Sequence, residues 1–475
     1  MGASVRTLHW FRNDLRLQDN PGLALACEQG EVLPVFIFDT DEPAESVPGA
    51  ASRAWLDRSL RALSSSLGGG LLVLKGSAEG LLPDLCHRYS IDAVTWNRSY
   101  EPFAIARDTR IKQSLKADGL TVTSSNGALL YEPWESVKKD GTPYRVFTPF
   151  YKHCRANLAT RAPINLKTKR LRLVPLEGPS NVDALHLTPS VPWDETMLSD
   201  WAPGEAGALA RLEAFLASGI GSYRLGRDYP AQQSVSRLSP HLHFGEISPH
   251  LILARLADAP IDDNLEHFVK ELVWREFAHH LLYHFPELPS KNLQEKFDWF
   301  PWVEDPVRLK AWQSGQTGYP IVDAGMRELW QTGSMHNRVR MIVASFLVKN
   351  LTQHWHHGLQ WFWDCLVDAD LASNSASWQW CAGSGADAAP YFRIFNPITQ
   401  GQRFDPDGTY TKRFLPELEA LPKQYLFDPW NAPHDVLSAS GIVLGKDYPA
   451  PIVDVKSSRE HALQAFAEMK RRAML

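Results

Sequence analysis

Four clusters between residues 221 and 380 combine residue types and spacings that could do chemistry. In GSYRLGRDYPAQQSVSRLSPHLHFGEIS (221–248), Ser236 and Ser239 flank Arg237 and Leu238, and Pro240 opens a helix-like segment. Hydroxyls and backbone amides at a helix start suit anionic oxygens, although two such serines serve equally as plain caps. In KELVWREF, Glu271, Trp274 and Arg275 stand at i, i+3 and i+4, so an acid, an aromatic plate and a guanidinium share one helix face. Such a face can stack a planar ligand or base; the plainer reading is a core tryptophan beside a surface ion pair. In GSMHNRVRMIVASF (333–346), Asn337, Arg340 and Met341 share a face next to Ile342, Val343, Phe346 and Leu347. Polar groups beside such packing need partners, and Asp368 is the expected one for Arg340. In LVDADLASNSASWQW (366–380), a helix would align Asp370, Asn374 and Trp378 as a wall for a polar aromatic ligand.

Other residues point away from metal chemistry. His241 with His243, and His354 with His356 and His357, have no carboxylate at ligand spacing, so no metal is expected and these read as partly buried histidines. Cys27, Cys86, Cys154, Cys365 and Cys381 form no CxxC pair, which argues against a disulfide frame or zinc site. An iron–sulfur cluster would need four of them brought together from distant segments. The net charge of −5 does not advertise a nucleic-acid binder, yet a basic surface can be local. Seventeen tryptophans, most of them late in the chain, exceed what packing requires.

The elements that must position these clusters follow from periodicity. Val5–Phe11, Val32–Phe38, Leu71–Leu74, Ala93–Trp96 and Leu120–Val122 read as buried strands, with Ser52–Leu67 and Ala104–Ala117 as helices between them. Alternation of this kind implies a parallel five-stranded, Rossmann-like α/β sheet covered on both faces. No GxGxxG follows the first strand, so a dehydrogenase-type dinucleotide site is not expected. Helical periodicity dominates after about Pro203, in Glu205–Ser218, Asn264–His284, Ile321–Thr332, Val339–Thr352 and Leu359–Leu366. The expected organisation is an α/β domain over 1–130, a proline-rich connection over 131–202 and a large all-α domain over 203–475. No apolar run is long enough to span a bilayer. MGASVRTLHWF has no secretory pattern, and Arg6 stands where a myristoylation motif wants Ser or Thr. A cytoplasmic monomer without membrane or obligate protein partners is expected.

The four clusters, in this order, resemble the photolyase/cryptochrome family, nearly end to end. WFRNDLRLQDNP near the start, TGYPIVDAGMR (317–327) and FRIFNPITQGQRFDPDG (392–408) are similar to its signatures. SSNGALLYEPWE and LSPHLHFGEIS resemble plant cryptochromes and class III bacterial photolyases. The resemblance implies an α/β antenna domain joined to a helical FAD-binding domain. Asn374 matches the position facing flavin N5, where photolyases have Asn and plant cryptochromes Asp. Asn337 and Met341 match the pattern for cyclobutane pyrimidine dimers, where (6-4) enzymes would carry histidines. The chain ends soon after PIVDVKSSREHALQAFAEMK, without the long tail of signalling cryptochromes.

By that resemblance, Tyr223, Val235, Ser236, Arg237, Leu238 and Ser239 line the phosphates and adenosine side of FAD, Val235 replacing a common Thr. Phe268 stands where some relatives have a flavin-contacting Trp. Arg275, Arg340, Asp368, Ala369, Asp370 and Asn374 complete the cofactor set, with Arg340 and Asp368 as the ion pair at the isoalloxazine. Glu271 and Asn337 would hydrogen-bond the dimer, and Trp274 and Trp380 would pack against it. Glu271, Asn337, Met341 and Asn374 are thus the catalytic group. Arg227, Arg338 and Gln400 match DNA-contacting positions. Trp378, Trp355 and Trp302 match an electron-transfer triad, with Trp361 or Trp330 as an extra route.

The implied activity is light-driven repair of cyclobutane pyrimidine dimers in DNA. An electron passes from reduced FAD to the dimer and returns after ring splitting, with no net redox change. The rival reading is a blue-light receptor that binds FAD without repair; a nucleotide-binding protein using only the α/β domain would leave the tryptophans unexplained. For the antenna, Phe103 and Ala104 replace the Asn and Glu of folate-binding class I enzymes, and Ser99 replaces an acid of a deazaflavin-binding relative. The expectation is 5,10-methenyltetrahydrofolate at a class III type of site, with no residues named.

Overall fold

The computed structural model describes residues 5–158, 161–165, 171–257, 262–388, 390–391 and 393–474. The N-terminal MGAS and Phe392, which opens the third signature, lie outside the described residues. Five parallel strands, β1 (Val5–Phe11), β2 (Gly30–Asp39), β3 (Leu72–Gly76), β4 (Ala93–Asn97) and β5 (Thr121–Ser125), lie in the order β3-β2-β1-β4-β5. This is the expected sheet, with one addition. A two-residue strand β6 (Arg172–Leu173), inside the expected connection, pairs with Glu31 and Val32 of β2.

Helices α1 (Pro21–Gln29), α2 (Ala50–Ser66), α3 (Ala78–Arg88) and α4 (Pro102–Ala117) link successive strands. Asn20 caps α1 by accepting from Leu23 N, with Pro21 at its first turn. Alternate side chains of the strands feed two cores. Leu8, Trp10, Leu33, Val35 and Val94 lie in one. Phe11, Val32 and Phe36 lie in the other, with Trp55 of α2. Burial on both faces is what a parallel sheet requires.

Contacts cluster the chain into two compact units: Met1–Gly221 with Ser236–Pro286 and Val367–Leu371, and Ser222–Val235 with Glu287–Leu366 and Ala372–Leu475. The long Asp263–His284 helix therefore groups with the sheet. The reason is local: Arg275 Nη1 donates to the Ala128 carbonyl, and Glu276 Oε2 accepts from Leu130 N and Tyr131 N. It also packs on α5 (Phe147–Ala156), whose Phe147 and Phe150 lie against Phe277.

The second unit is helical. Pro320–Thr332 ends at Gly333, whose φ of +64° suits a glycine stop. Asn337–Ser345 runs on as a π turn over Phe346–Asn350, where sequence periodicity reads one unbroken helix. Trp355–Cys365 follows, and the last long helix is Val455–Arg472. The TGYPIVDAGMR motif has a structural job. Buried Asp323 accepts from Thr317 N and Oγ1, from Gly318 N and from Tyr448 OH. Among the described residues no helix is long and apolar enough to cross a membrane.

Candidate FAD and DNA-lesion site

In the first unit, the run Ser236–Arg237–Leu238–Ser239 turns sharply into the short Ser239–His243 helix. Arg237 has φ +54°, an uncommon conformation for a side chain of that size, and its guanidinium lies 4.0 Å over the Trp201 ring. The turn is thus held by tertiary packing, and it brings Ser239 Oγ to 2.6 Å from Asp368 Oδ2. Ala369 is buried next to it, and Phe268 is buried against Phe215 at 4.7 Å.

Asp370 does not sit in a helix with Asn374 and Trp378, as the sequence spacing suggests; the helix starts one residue later, at Leu371. Asp370 instead faces the His279 and His243 rings, at 3.5 and 3.8 Å. Burial opposes its charge, but His279, His243 and Arg275 outweigh that and hold its carboxyl well below the usual carboxylate range. A polar cavity opens beside it at the C-terminal ends of β1 and β4, lined among others by Asn13, Asn97, Tyr100, His279 and Asp370. The sheet order reverses between those two strands, the place where ligands bind in open α/β sheets.

Glu271 and Trp274 are half-buried on the Asp263–His284 helix. Phe147 of α5 lies parallel to the Trp274 indole, with centroids 3.5 Å apart and planes 6° apart. One face of the plate is therefore backed by a second ring.

In the second unit, Tyr223 is buried and Arg227 lies over its ring at 5.4 Å, while Val235 is half-buried. Asn337 opens the Asn337–Ser345 helix and is exposed, with Arg338, Arg340 and Met341 in the same helix. His336 caps it, Nδ1 accepting from Arg338 N, and burial lowers this imidazole to about 4, so the cap stays neutral. Arg340 Nε donates to the Met335 carbonyl. Arg338 Nη2 is 2.7 Å from Asp228 Oδ1, and its guanidinium lies over Phe404. Gln400 is in the neighbouring Pro397–Phe404 helix.

The Leu371–Ala382 helix carries Asn374, Trp378 and Trp380. Asn374 Nδ2 donates to the Leu359 carbonyl, which fixes the amide and leaves its oxygen for another donor. Trp378 is buried between Phe362 and Trp312. Trp355 is fully buried, with Nε1 donating to Asn292, whereas Trp302 is only half-buried. A second pair, Trp330 and Trp361, stacks at 5.8 Å and 4°, with Trp330 63% exposed.

The residues present fit FAD. In the first unit, a serine-rich turn with Asp368 beside it suits a pyrophosphate-bearing ligand; in the second, taken by itself, a pinned Asn374 amide suits a polar heterocycle. Sequence reasoning missed Phe147 behind Trp274, His354 beside Trp302, and Asp228 on Arg338. The aromatic run FTPFY at 147–151 was the available signal for the first.

Known proteins resemble this chain over nearly its whole length. A model described as the FAD binding domain of DNA photolyase matches residues 268–468, and one described as DNA photolyase matches 7–168. The chain is thus a flavoprotein with an N-terminal α/β region. It is 49% identical to a deoxyribodipyrimidine photo-lyase of Agrobacterium fabrum, over 97% of this chain and 98% of that one. Identity to cryptochrome-2 of Arabidopsis thaliana is 37%, covering 99% and 80%. A crystal structure of a class III photolyase from Agrobacterium tumefaciens superposes with a TM-score of 0.95 at 48% identity, covering 99% of each chain. The chain belongs to the DNA photolyase family.

Proposed function

We infer that this chain is a light-driven DNA-repair lyase acting on cyclobutane pyrimidine dimers, with FAD as its cofactor. The observation that carries the reading is the end-to-end likeness to a bacterial deoxyribodipyrimidine photo-lyase, greater than that to the plant cryptochrome. Bound FAD supplies the light absorption and the electron.

The protein's part is to bind, orient and stabilise charge. Ser236, Arg237, Leu238 and Ser239, with Tyr223 and Val235, hold the phosphate and adenosine side. Arg340 favours negative charge on the ring system, Asp368 is assigned to the same cofactor, and Asn374, neutral at every working pH, supports its N5 side. Phe268, Arg275, Ala369 and Asp370 complete the cofactor set. Glu271 and Asn337 hydrogen-bond the dimer where negative charge develops. Trp274 and Trp380 supply the apolar walls against which an extruded dimer packs, and Met341 completes the catalytic group with Glu271, Asn337 and Asn374. Photolyases are among the enzymes that take the target nucleotide out of the stack. Arg227, Arg338 and Gln400 meet the DNA backbone, so binding weakens with salt despite the net charge of −5. Trp378, Trp355 and Trp302 carry electrons inward for photoreduction.

The functional division follows the sequence: antenna region 1–130, connection 131–202, catalytic helical region 203–475. The antenna is 5,10-methenyltetrahydrofolate, a reading supported by the class III likeness. The enzyme works as a cytoplasmic monomer.

The deciding experiment is repair of an oligonucleotide bearing one thymine cyclobutane dimer by photoreduced protein, with a dark control. Restoration only in light is expected. No restoration with FAD bound and fully reduced would overturn the reading in favour of a (6-4) substrate or a receptor.

A further inference from the structure

We propose that His354 is an uncharged bridging ring between Trp302 and Trp355 that positions the outer step of the photoreduction chain. The proposal rests on the reading of these tryptophans as an electron-transfer chain.

His354 precedes the Trp355–Cys365 helix and touches both indoles. Its ring centroid is 5.0 Å from that of Trp302, at 68°, and 5.5 Å from that of Trp355, at 27°. One imidazole thus makes an edge contact with the half-buried tryptophan and stacks on the fully buried one. Electron transfer between aromatic rings falls steeply with the gap that lacks packed atoms, so a ring in contact with both is a natural bridge.

The same residue is held neutral by geometry. His354 Nδ1 accepts from His356 N as the helix N-cap, so its lone pair is engaged and the proton sits on Nε2. Protonating Nδ1 would break the cap. Burial, with His356 and His357 next to it, lowers the imidazole to about 4, against a weak opposite pull from Asp298. His357 itself faces Glu304 at 3.4 Å. A cation at this place would oppose the positive charge that an indole acquires on losing an electron. The HWHH run, which suggests no metal, thereby gains a use.

The step balances simply. Once Trp355 has given an electron inward, one electron passes from Trp302 to Trp355. Trp302 is oxidised by one electron and Trp355 is restored. A thiol in solution then returns one electron to Trp302. His354 gains and loses nothing.

The test compares His354→Asn, which keeps a capping side chain but removes the ring, with His354→Phe, which keeps a ring but loses the cap. Both are made in a Trp330→Phe background, which closes the exposed Trp330–Trp361 stack. Time-resolved absorbance of oxidised tryptophan and steady-state photoreduction with a thiol are followed in flavin-loaded protein. Flavin content and the urea midpoint report folding, and His354→Ser replaces the Asn variant should that one lose flavin. His354→Asn is expected to slow formation of the long-lived tryptophan signal several-fold, leaving the initial excited-flavin quenching by Trp378 unchanged; His354→Phe stays near the parent. Equal behaviour of His354→Asn and the parent overturns the bridge. So does an equal loss in both variants, which would make His354 a cap alone. Unimpaired photoreduction in Trp302→Phe, made in the same background, would instead remove the chain reading itself.

Discussion

The six-membered ring of Trp378 fills the space where Gly358 would carry a side chain: a Cβ there would overlap its Cη2 and Cζ3. Gly358 lies one turn after Trp355 on the same helix, so the close approach places Trp378 directly against the element that carries Trp355. Gly358→Ala would gain about 1 kcal/mol of helix propensity. The overlap costs about 1–3 kcal/mol, because a buried indole has no free space to retreat into. The expected outcome is a lower urea midpoint and slower light-driven flavin reduction. An unchanged midpoint would show that the ring moves aside freely.

Ser239 Oγ donates to the carboxylate of Asp368, a residue that the proposed function also assigns to the cofactor. A hydrogen bond to a carboxylate is worth about 1.5–3 kcal/mol, and the exposed setting argues for the lower end. Ser239→Ala should therefore weaken FAD binding by about tenfold. The ratio of flavin absorbance to protein absorbance after exhaustive dialysis measures it. Full retention of flavin would take Ser239 out of the cofactor site.

How much of this was legible in the sequence depends on range. Strands β1 to β5 and the Asp263–His284 helix follow from apolar spacing, which encodes burial locally. β6 was not legible, because Arg172 and Leu173 carry no period and their pairing is supplied by Glu31 and Val32 of β2. The π turn at Phe346–Asn350 shows the same apolar run as an α-helix. At the site, Glu271 and Trp274 share a helix as their spacing implies, but Asp370 falls just before its helix and turns to His279 and His243. Contacts such as Phe147 on Trp274 join residues more than a hundred positions apart, where no spacing rule reaches.

Arg338 reaches Asp228 at 2.7 Å, so the free protein partly neutralises a cation that the proposed function assigns to a DNA phosphate. DNA must compete with that carboxylate. Asp228→Asn should tighten binding to undamaged duplex and to dimer-containing DNA alike, since phosphate contacts carry no sequence information. The slope of log K against log salt should steepen by about 0.9, the value of one further phosphate contact. Arg338→Ala should shift both quantities the other way. Fluorescence anisotropy across a salt series distinguishes these outcomes, and identical slopes for all three proteins would place Arg338 away from the DNA.

Glu276 offers a pH signature. Burial raises its carboxyl to about 7, despite the Arg275 guanidinium and the amides of Leu130 and Tyr131, and Glu132 adds like charge. Its Oε1 has no hydrogen-bond partner among the described residues. Because the folded value lies above the unfolded one, the native state holds an extra proton between about pH 4.5 and about pH 7. Stability from this group is therefore greatest below the unfolded value and is lost as pH rises through the folded one. The loss is ~1–3 kcal/mol, the cost of a charged carboxylate in a buried place. Glu276→Gln keeps a carbonyl oxygen for the two backbone donors and carries no charge. Its urea midpoint should exceed that of the parent at pH 8 and match or fall below it at pH 5. A difference independent of pH would mean that Glu276 is already ionised in the folded protein throughout this range.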